Sequence, residues 1–266
     1  MQFRTVLLLI SGLPLLGQSE GPLRLPAAAG RLTANPQSES IIEQVRRRAM
    51  EFNERLPNFL CQQSIRRYEG TARRWTLLDT VSFDVTYANG AEQYRNFRRN
   101  GKPVRYSETQ KRGISSDGEY GTMLRNLMAP GAATFRFRAH DSLAGAVTEV
   151  WDYEVSQPAS RWSLVFNGRR TRPAYRGAIW IDAASLVVRR IEMEAVNLPG
   201  TYPLDRAEMT LDYGPVSIAG ESFTLPVRTE NLACWRDLGG VCTRNETEFR
   251  AYRRFGAEIT IRAANP

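Results

Sequence analysis

Apolar and polar residues alternate along most of the chain from residue 59 onwards. Such period-two alternation predicts strands with one buried and one solvent-facing side. The apolar positions of the clearest segments are Val81, Phe83, Val85 and Tyr87; Val147, Trp151, Tyr153 and Val155; Trp162, Leu164 and Phe166; Ile191, Met193 and Ala195; and Ala207, Met209, Leu211 and Tyr213. We expect about twelve such strands, arranged as a meander.

Short turn motifs separate these segments. Asn89-Gly90, Asn100-Gly101 and Asn167-Gly168 each lie between two strand-like runs, and Ala219-Gly220 is a weaker case. The Asn-Gly pairs predict tight hairpins, because both central residues of a type I′ turn need a positive φ.

A helix precedes the strands. Residues 40–43 read Ser-Ile-Ile-Glu, which fits a capping box, and Pro57 is expected to end the helix. Its apolar stripe has a spacing of 3.6 residues and consists of Ile41, Ile42, Val45, Ala49, Phe52 and Leu56. Packing of this stripe on the sheet is favoured over binding to a membrane surface.

A second, shorter helix interrupts the strands. Another capping box, Ser-Asp-Gly-Glu at residues 116–119, would start it, and Pro130-Gly131 would end it. Its apolar residues are Tyr120, Met123, Leu124, Leu127 and Met128. The expected fold class is therefore mainly β with two or three helices (α+β): a strongly curved antiparallel sheet, or half-barrel, wrapped around helices.

The first residues have the pattern of an export signal. Arg4 precedes the apolar run 5–17, and small residues follow it. We expect residues 1–19 to be a signal peptide, 20–37 a flexible leader rich in Gly, Pro and Ala, and 38–266 one domain. No later segment is apolar enough to span a bilayer, so the expected product is a bacterial periplasmic or extracellular protein without a transmembrane segment.

The net charge and the cysteine content indicate which kinds of partner and which redox compartment to expect. The net charge is +8. A solvated basic surface is the preferred interpretation of this charge; anionic lipid head groups, envelope polymers and nucleic acid are the alternatives, and an export signal argues against nucleic acid. The cysteines are Cys61, Cys234 and Cys242. In an oxidising compartment Cys234–Cys242 is the natural disulfide, although the sequence alone allows each of the three single pairings.

The chain carries no clear catalytic or metal-binding motif. It lacks a CxxC pair, a GxSxG elbow, a phosphate loop and an HExxH helix, and His140, beside Asp141, is its single histidine. Glu192 and Glu194 share one strand face with Arg190, which is typical of a solvated surface. We therefore expect no catalytic residue, no metal and no cofactor, and interpret the protein as a binding protein rather than an enzyme.

One stretch resembles a known family. Residues 175–192 read YRGAIWIDAASLVVRRIE, which is a strand, a tight turn and a strand leading to arginines. This pattern is similar to the lipoprotein-localisation-factor superfamily, the LolA/RseB-like half-barrels. More closely, residues 56–61 (LPNFLC), 118–121 (GEYG) and 223–226 (FTLP) resemble a group of uncharacterised secreted bacterial proteins. The resemblance implies a bent antiparallel sheet with helices in its concavity and an apolar pocket for acyl chains.

Three functions follow from these observations, in order of preference. The first is an exported binding protein with an apolar cavity for a lipid or a lipidated protein. Its expected pocket residues are Phe83, Met123, Leu124, Leu127, Trp151, Tyr153, Trp162, Phe166 and Met193. The second is an envelope sensor or scaffold that binds protein, and the third is a carboxylate-dependent hydrolase.

Overall fold

The computed structural model describes residues 6–9, 36–71, 74–109, 114–115, 122–166 and 169–256. Strands dominate this part of the chain. The helices are α1 (Pro36–Arg55), α2 (Tyr106–Thr109) and α3 (Thr122–Met128), with a 3₁₀ turn at Gln157–Ala159. The strands are β1 (Val6–Leu9), β2 (Phe59–Thr71), β3 (Arg74–Ala88), β4 (Ala91–Arg99), β5 (Lys102–Pro103), β6 (Ile114–Ser115), β7 (Thr134–Leu143), β8 (Ala146–Val155), β9 (Ser163–Phe166), β10 (Arg169–Thr171), β11 (Ala174–Asp182), β12 (Val188–Val196), β13 (Leu204–Ile218), β14 (Glu221–Trp235) and β15 (Cys242–Arg254).

Eleven of the described strands form one antiparallel sheet in the order β5-β4-β3-β2-β15-β14-β13-β12-β11-β8-β7. The sheet is curved and does not close, because β5 and β7 lie at its two edges. The half-barrel fold class expected from the sequence is thus confirmed. The expectation of a simple meander is wrong in one respect: β2 pairs with β15, so strands from opposite ends of the domain meet in the middle of the sheet.

Bulges help this long sheet to bend. The ladder register shifts at Arg67/Tyr68 in β2, Asp212/Tyr213 in β13 and Arg250/Arg253 in β15, among other places. An extra residue on one strand bends that strand and increases its twist. We name the side of the sheet that packs against α1 and α3 the inner face, and the opposite side the outer face.

Two apolar clusters cover the inner face. The larger cluster joins α1 and α3 to β8, β11, β12 and β13, whereas the smaller cluster lies on β2, β3 and the β13–β14 hairpin. Helix α1 contacts both: Val45 and Ala49 belong to the larger cluster, and Phe52 and Leu56 pack against the smaller one. The apolar stripe of α1 therefore packs on the core, as expected.

The helix boundaries differ from the sequence prediction. Helix α1 begins at Pro36, so Ser40 lies inside the helix and not at its N-cap. Helix α3 spans Thr122–Met128, and it buries Met123, Leu124, Leu127 and Met128 as expected. The proposed capping box at residues 116–119 lies outside the described residues.

The hairpin predictions are confirmed where the residues are described. Asn89-Gly90, Asn100-Gly101 and Ala219-Gly220 all have positive φ at both positions and connect adjacent strands. Asn167-Gly168 lies outside the described residues, although β9 and β10, which flank it, do pair. The β7–β8 hairpin was not predicted; Ala144 and Gly145 form its turn with φ of 51° and 82°.

One strand position departs from the predicted alternation. Val147 was expected on the buried side of β8 with Trp151 and Tyr153, but it is 65% exposed. It lies next to the β7–β8 turn, where the strand extends past the core. Val150, from the opposite side of β8, is buried instead, in a small outer-face cluster with Ala178 and Trp180.

A four-stranded sheet of order β10-β9-β1-β6 accompanies the main sheet. Strand β9 contributes Leu164 to the larger apolar cluster, beside Trp162, which just precedes the strand. Strand β1 pairs antiparallel with β9 and parallel with β6. Strand β1 lies within the segment expected to be a signal peptide. Cleavage of that peptide would therefore remove β1 from this small sheet.

The segment that carries the family resemblance is a tightly fitted hairpin of β11 and β12. A Cβ atom on Gly177 would lie 1.8 Å from the main-chain oxygen of Glu192, so only glycine fits there. Asp182 orders the turn, because its Oδ1 accepts hydrogen bonds from the amides of Ala184 and Ser185. Its Oδ2 accepts 2.8 Å and 3.1 Å bonds from Arg189.

Candidate functional site

The structure brings most of the expected pocket residues together. Seven of them belong to the larger apolar cluster: Met123, Leu124, Leu127, Trp151, Tyr153, Trp162 and Met193. Phe83 lies instead in the smaller cluster, because β3 is several strands away from β8 in the sheet. The side chain of Phe166 lies outside the described residues, while its backbone is part of β9.

These seven side chains pack mainly against one another. Each is at most 7% exposed, and Leu127 is fully buried. Aromatic rings form part of the packing, with Tyr175 edge-on to both Tyr153 and Trp162 at 6.2 Å and 5.7 Å between ring centroids. An open space is found at the border of this cluster rather than within it.

This space is a small apolar cleft between α1 and the sheet, with a volume of about 60 Å³. Helix α1 supplies one wall through Val45, Ala49 and Phe52, which recur at helical spacing and so share one face. The other lining residues are Arg48, Leu124, Leu186, Val187, Val188, Tyr213 and Thr224. Leu124 is the one expected pocket residue among those that line the cleft.

Arg48 is the charged residue of this lining. Its side chain is exposed, and its Nη1 donates a 2.6 Å hydrogen bond to the main-chain oxygen of Ser185 in the β11–β12 turn. One turn of α1 is therefore tied both to the sheet and to α3, since Arg46 Nε also donates to the main-chain oxygen of Met128 at 2.7 Å. Both bonds hold the helix over the cleft.

Tyr213 is a polar group within the apolar wall. The residue is only 6% exposed, and its hydroxyl is buried without a hydrogen-bond partner among the described residues. Burial also raises the pKa of this phenol well above its usual value, so the hydroxyl stays protonated. A buried hydroxyl that lacks a partner is expensive, and native structures usually give such a group a partner or a water.

The inner face becomes polar on the far side of the cleft. Buried polar residues of β2, β14 and β15 replace the apolar ones there, namely Gln63, Arg67, Thr229, Asn231, Thr243, Asn245 and Thr247. Along one ladder row the residues are Met193, Met209, Asn231, Asn245, Arg67 and Asp79. A single row thus changes from apolar to polar between β13 and β14.

A buried ion pair ends this row. Arg67 Nε and Nη2 donate to the two carboxylate oxygens of Asp79 at 2.7 Å and 2.8 Å, and Nη1 donates to the main-chain oxygen of Thr109 at 2.6 Å. The two side chains are 4% and 5% exposed. Arg99 approaches the same carboxylate at 3.3 Å from the edge of the sheet. The arrangement holds α2 against the sheet.

The outer face carries ion pairs instead of a converging acidic site. Arg190 donates to both carboxylate oxygens of Asp212, at 2.6 Å and 2.9 Å, and Arg176 donates to Glu194. Glu192 is 7% exposed; burial raises its pKa, while Arg190 at 3.7 Å acts in the opposite direction. The carboxylates considered for a hydrolase are therefore engaged with arginines on the side of the sheet away from the cleft.

Neither His140 nor the acidic residues that the structure describes form a metal site. His140 lies on the exposed edge strand β7 near Phe137, and neighbouring Asp141 accepts a 2.9 Å bond from the indole of Trp180. Within the described ranges, no three His, Cys, Asp or Glu side chains are placed to share a metal ion. Among the described helices, none has the length and apolarity needed to cross a bilayer.

The expected disulfide is confirmed. Cys234 and Cys242 are directly opposite each other on β14 and β15 and are covalently joined. Cys61 is a buried thiol on β2.

Sequence reasoning missed several residues around the cleft. The helix positions Val45, Ala49 and Phe52 were assigned to core packing, and their role in the cleft depends on where α1 crosses the sheet. Thr229 and Asn231 were missed because polar residues occupy both sides of β14 in this region, so alternation gives no signal. Whether the polar side of such a strand is buried can be recognised only when the neighbouring strands of the sheet are known.

Comparisons with known proteins find only distant structural neighbours. No protein-family model and no curated protein matches the sequence. Among solved structures, a DUF1329 family protein from Desulfovibrio piger has 9% identity and a TM-score of 0.40, with 84% of this chain and 94% of that chain covered. An outer membrane lipoprotein-sorting protein domain from Vibrio parahaemolyticus has the same identity and coverage and a TM-score of 0.38. The lipoprotein LppX of Mycobacterium tuberculosis has 8% identity and a TM-score of 0.28, covering 79% of this chain and 94% of that chain.

At such identities and TM-scores these neighbours contribute nothing to the assignment of a ligand or a residue role. The functional argument therefore rests on the cleft and the inner face of this chain.

Proposed function

We propose that the protein is an exported binding protein that holds an apolar ligand, such as an acyl chain of a lipid or of a lipidated protein, between α1 and the inner face of the sheet. The observation that carries the proposal is the apolar cleft and the unpartnered hydroxyl of Tyr213 in its wall. Ligand sites are typically apolar concavities with a few placed polar groups. Export is supported by the N-terminal sequence pattern and by the disulfide.

The size of the cleft sets a condition on binding. Its volume of about 60 Å³ is well below that of ligand pockets, which span roughly 300–1,000 Å³. A long chain therefore requires α1 to move away from the sheet. The bonds of Arg46 and Arg48 to main-chain oxygens are the polar contacts that such a movement would break.

Mass spectrometry of bound lipid tests the proposal. The protein is exported to a bacterial periplasm, purified without detergent and extracted with organic solvent, and the extract is compared with that of two variants. Leu124→Arg places a charge in the cleft, and Ala49→Leu fills it without a charge. Leu238→Arg, at a leucine that is 42% exposed, is the matched control.

We expect stoichiometric lipid in the wild type and in Leu238→Arg, and loss of lipid in both cleft variants. Circular dichroism and thermal unfolding establish that the variants are folded. If the wild type carries no lipid and takes up none from added vesicles, the proposal is wrong. Lipid that remains bound to a folded Ala49→Leu variant would place the site elsewhere.

A second function has its own observation. Strand β7 is an edge of the main sheet, and it exposes Phe137 at 39%; Val147 of β8, opposite Ser142 near the β7–β8 turn, is 65% exposed. An unprotected edge strand can pair with a strand of another protein. An envelope protein bound at β7 would make the chain a sensor or scaffold, and cross-linking from residue 137 in the native envelope would detect it.

A further inference from the structure

The small sheet contains an N-terminal strand that is paired on both of its edges. The strand order is β10-β9-β1-β6, so β1 lies between β9 and β6. Val6–Leu9 runs antiparallel to Ser163–Phe166 of β9, and Val6 and Leu7 also pair in parallel with β6. The N-terminal segment is therefore held as an inner strand by two segments that are distant from it in the sequence.

The two strands that flank β1 are also attached to other parts of the protein. Strand β9 pairs with β10 on its second edge, and Trp162, which directly precedes it, is 2% exposed. The ring of Trp162 packs edge-on against Tyr175 of the larger apolar cluster, at 5.7 Å between ring centroids. Strand β6 lies against β15 of the main sheet. Both flanking strands thus keep contacts with the rest of the protein when β1 is absent.

Removal of β1 would leave a space bordered by open strand edges. Adjacent strands lie about 4.8 Å apart, so β9 and β6 would face each other across roughly 10 Å, the room needed for one strand. Backbone N–H and C=O groups along such edges require partners, and an open edge readily pairs with another extended chain. We name this space, bounded by Ser163–Phe166 and by Ile114–Ser115, the strand slot. Cleavage of the expected signal peptide, residues 1–19, would empty it.

The chemistry of the strand slot favours an aliphatic peptide. Its occupant in the full chain has the sequence Val-Leu-Leu-Leu. Leu164 of β9 is fully buried in the larger apolar cluster, and the ladder position opposite it, that of Leu8, therefore lies on the core side of the small sheet. A charged residue at this position would be buried without a partner, which is strongly unfavourable. A lipid chain does not suit the slot either, because it has no groups that satisfy the two backbone edges.

We propose that the strand slot of the processed protein binds an extended aliphatic segment of another exported protein, in the antiparallel register with β9 that Val6–Leu9 has in the full chain. Strand addition of this kind takes its affinity from main-chain hydrogen bonds and its specificity from alternate side chains. The inference goes beyond ligand binding in the apolar cleft, because none of the described residues that line the cleft belongs to β9 or β6.

Peptide binding to the processed protein tests the strand slot. The protein is exported to a bacterial periplasm and purified, and mass spectrometry of the intact chain establishes where it begins. Fluorescence anisotropy then measures binding of a labelled peptide that corresponds to residues 4–12, RTVLLLISG. Three further peptides carry Leu8→Ile, Leu8→Lys or Leu8→Pro. The first keeps an aliphatic residue opposite Leu164, the second introduces a charge there, and the third removes a backbone donor.

We expect the original and Leu8→Ile peptides to bind with similar affinity, and the Leu8→Lys and Leu8→Pro peptides to bind at least about tenfold more weakly. The protein variant Ala49→Leu, which fills the apolar cleft, should bind the original peptide as the wild type does. An exported chain that retains Val6–Leu9, a folded processed protein that binds no peptide, or equal binding of the Leu8→Pro peptide would overturn the proposal. Loss of peptide binding in Ala49→Leu would place the peptide in the cleft, and would overturn the strand slot while leaving the proposed function intact.

Disulfide trapping tests the register. Leu7 is the position directly opposite Val165, and neighbouring residues of a strand face opposite sides of the sheet. Under mild oxidation, the protein variant Val165→Cys should therefore form a disulfide with a Leu7→Cys peptide and not with a Leu8→Cys peptide. The wild-type protein is the control for reaction with the native cysteines. Equal trapping of the two peptides, or trapping of the Leu8→Cys peptide alone, would overturn the proposed register and with it the strand slot.

Discussion

The hydroxyl of Tyr153 donates a 2.8 Å hydrogen bond to the main-chain oxygen of Glu192, two strands away. Gly177, which is opposite Tyr153 on β11, lies between them and leaves room for the phenol to cross. Burial raises the pKa of Tyr153 well above its usual value, so the bond is present at all ordinary pH. One tyrosine thereby links β8, β11 and β12 beneath the larger apolar cluster.

Tyr153→Phe and Tyr213→Phe should change stability in opposite directions. Tyr153→Phe leaves the oxygen of Glu192 without this donor, and we expect a loss of about 1–2 kcal/mol in the free energy of unfolding. Tyr213→Phe removes a hydroxyl without a partner, and should be neutral or stabilise by up to about 1 kcal/mol. Urea unfolding at neutral pH measures both. Similar losses in the two variants would contradict the hydrogen-bond assignments.

Gly177→Ala should destabilise the β11–β12 hairpin. The new methyl group would lie 1.8 Å from the main-chain oxygen of Glu192, and the strands must separate to accommodate it. We expect a loss of about 1–3 kcal/mol, as for an overpacked core position. Gly200→Ala, where a Cβ atom meets nothing within 4 Å, is the control and should have little effect on thermal unfolding.

Asp182 should make stability depend on pH in the acid range. Burial alone would raise the pKa of this carboxyl, but the amide of Ser185 and the guanidinium of Arg189 outweigh burial and lower the pKa to about 2 from its ordinary 3.8. The stabilisation is thus complete above about pH 4 and is lost as pH falls through about 2. It amounts to about 2 kcal/mol.

Asp182→Asn provides the measurement. We expect it to unfold at lower urea concentration than the wild type at pH 7, and the difference should shrink as the pH approaches 2. A difference that is the same at both pH values would show that the carboxylate charge does not stabilise the turn.

Asp79→Asn should be among the most destabilising single changes in the polar half of the inner face. It leaves the buried guanidinium of Arg67 without its anionic partner, and we expect a loss of about 3–5 kcal/mol. Asp84→Asn is the control on the same strand, because Asp84 lies on the outer face and accepts an exposed 2.7 Å hydrogen bond from the side-chain amide of Asn96. In differential scanning calorimetry, Asp79→Asn should unfold at a clearly lower temperature than Asp84→Asn.

Removal of the disulfide should lower stability by roughly 2–3 kcal/mol, the contribution expected for a short loop in the chain-entropy model. The double variant Cys234→Ala/Cys242→Ala tests this, because the two residues close a loop with a sequence separation of 8. A reducing agent should destabilise the wild type to the level of the variant and leave the variant unchanged. A wild type whose stability a reducing agent leaves unchanged would contradict the disulfide.

Local sequence signals determined much of this architecture. The alternation in β3, β8, β12 and β13 predicts one buried side for each strand, and the Asn-Gly pairs predict where hairpins turn, because these signals depend on residues close in the chain. The stripe of α1 and the buried residues of α3 were found for the same reason. The half-barrel class follows from many one-sided strands that need helices to cover them.

The tertiary structure decided what local patterns cannot encode. The pairing of β2 with β15 joins segments far apart in the sequence, and it alone brings Arg67 beside Asn245 and builds the polar half of the inner face. Phe83 shares its alternation pattern with Trp151 but lies in a different cluster, since periodicity assigns a side of a strand and not a position across the sheet. The cleft, likewise, exists because α1 crosses the border between the two clusters. Long-range pairing is set by burial of the whole chain at once, and therefore a single stretch of sequence does not specify it.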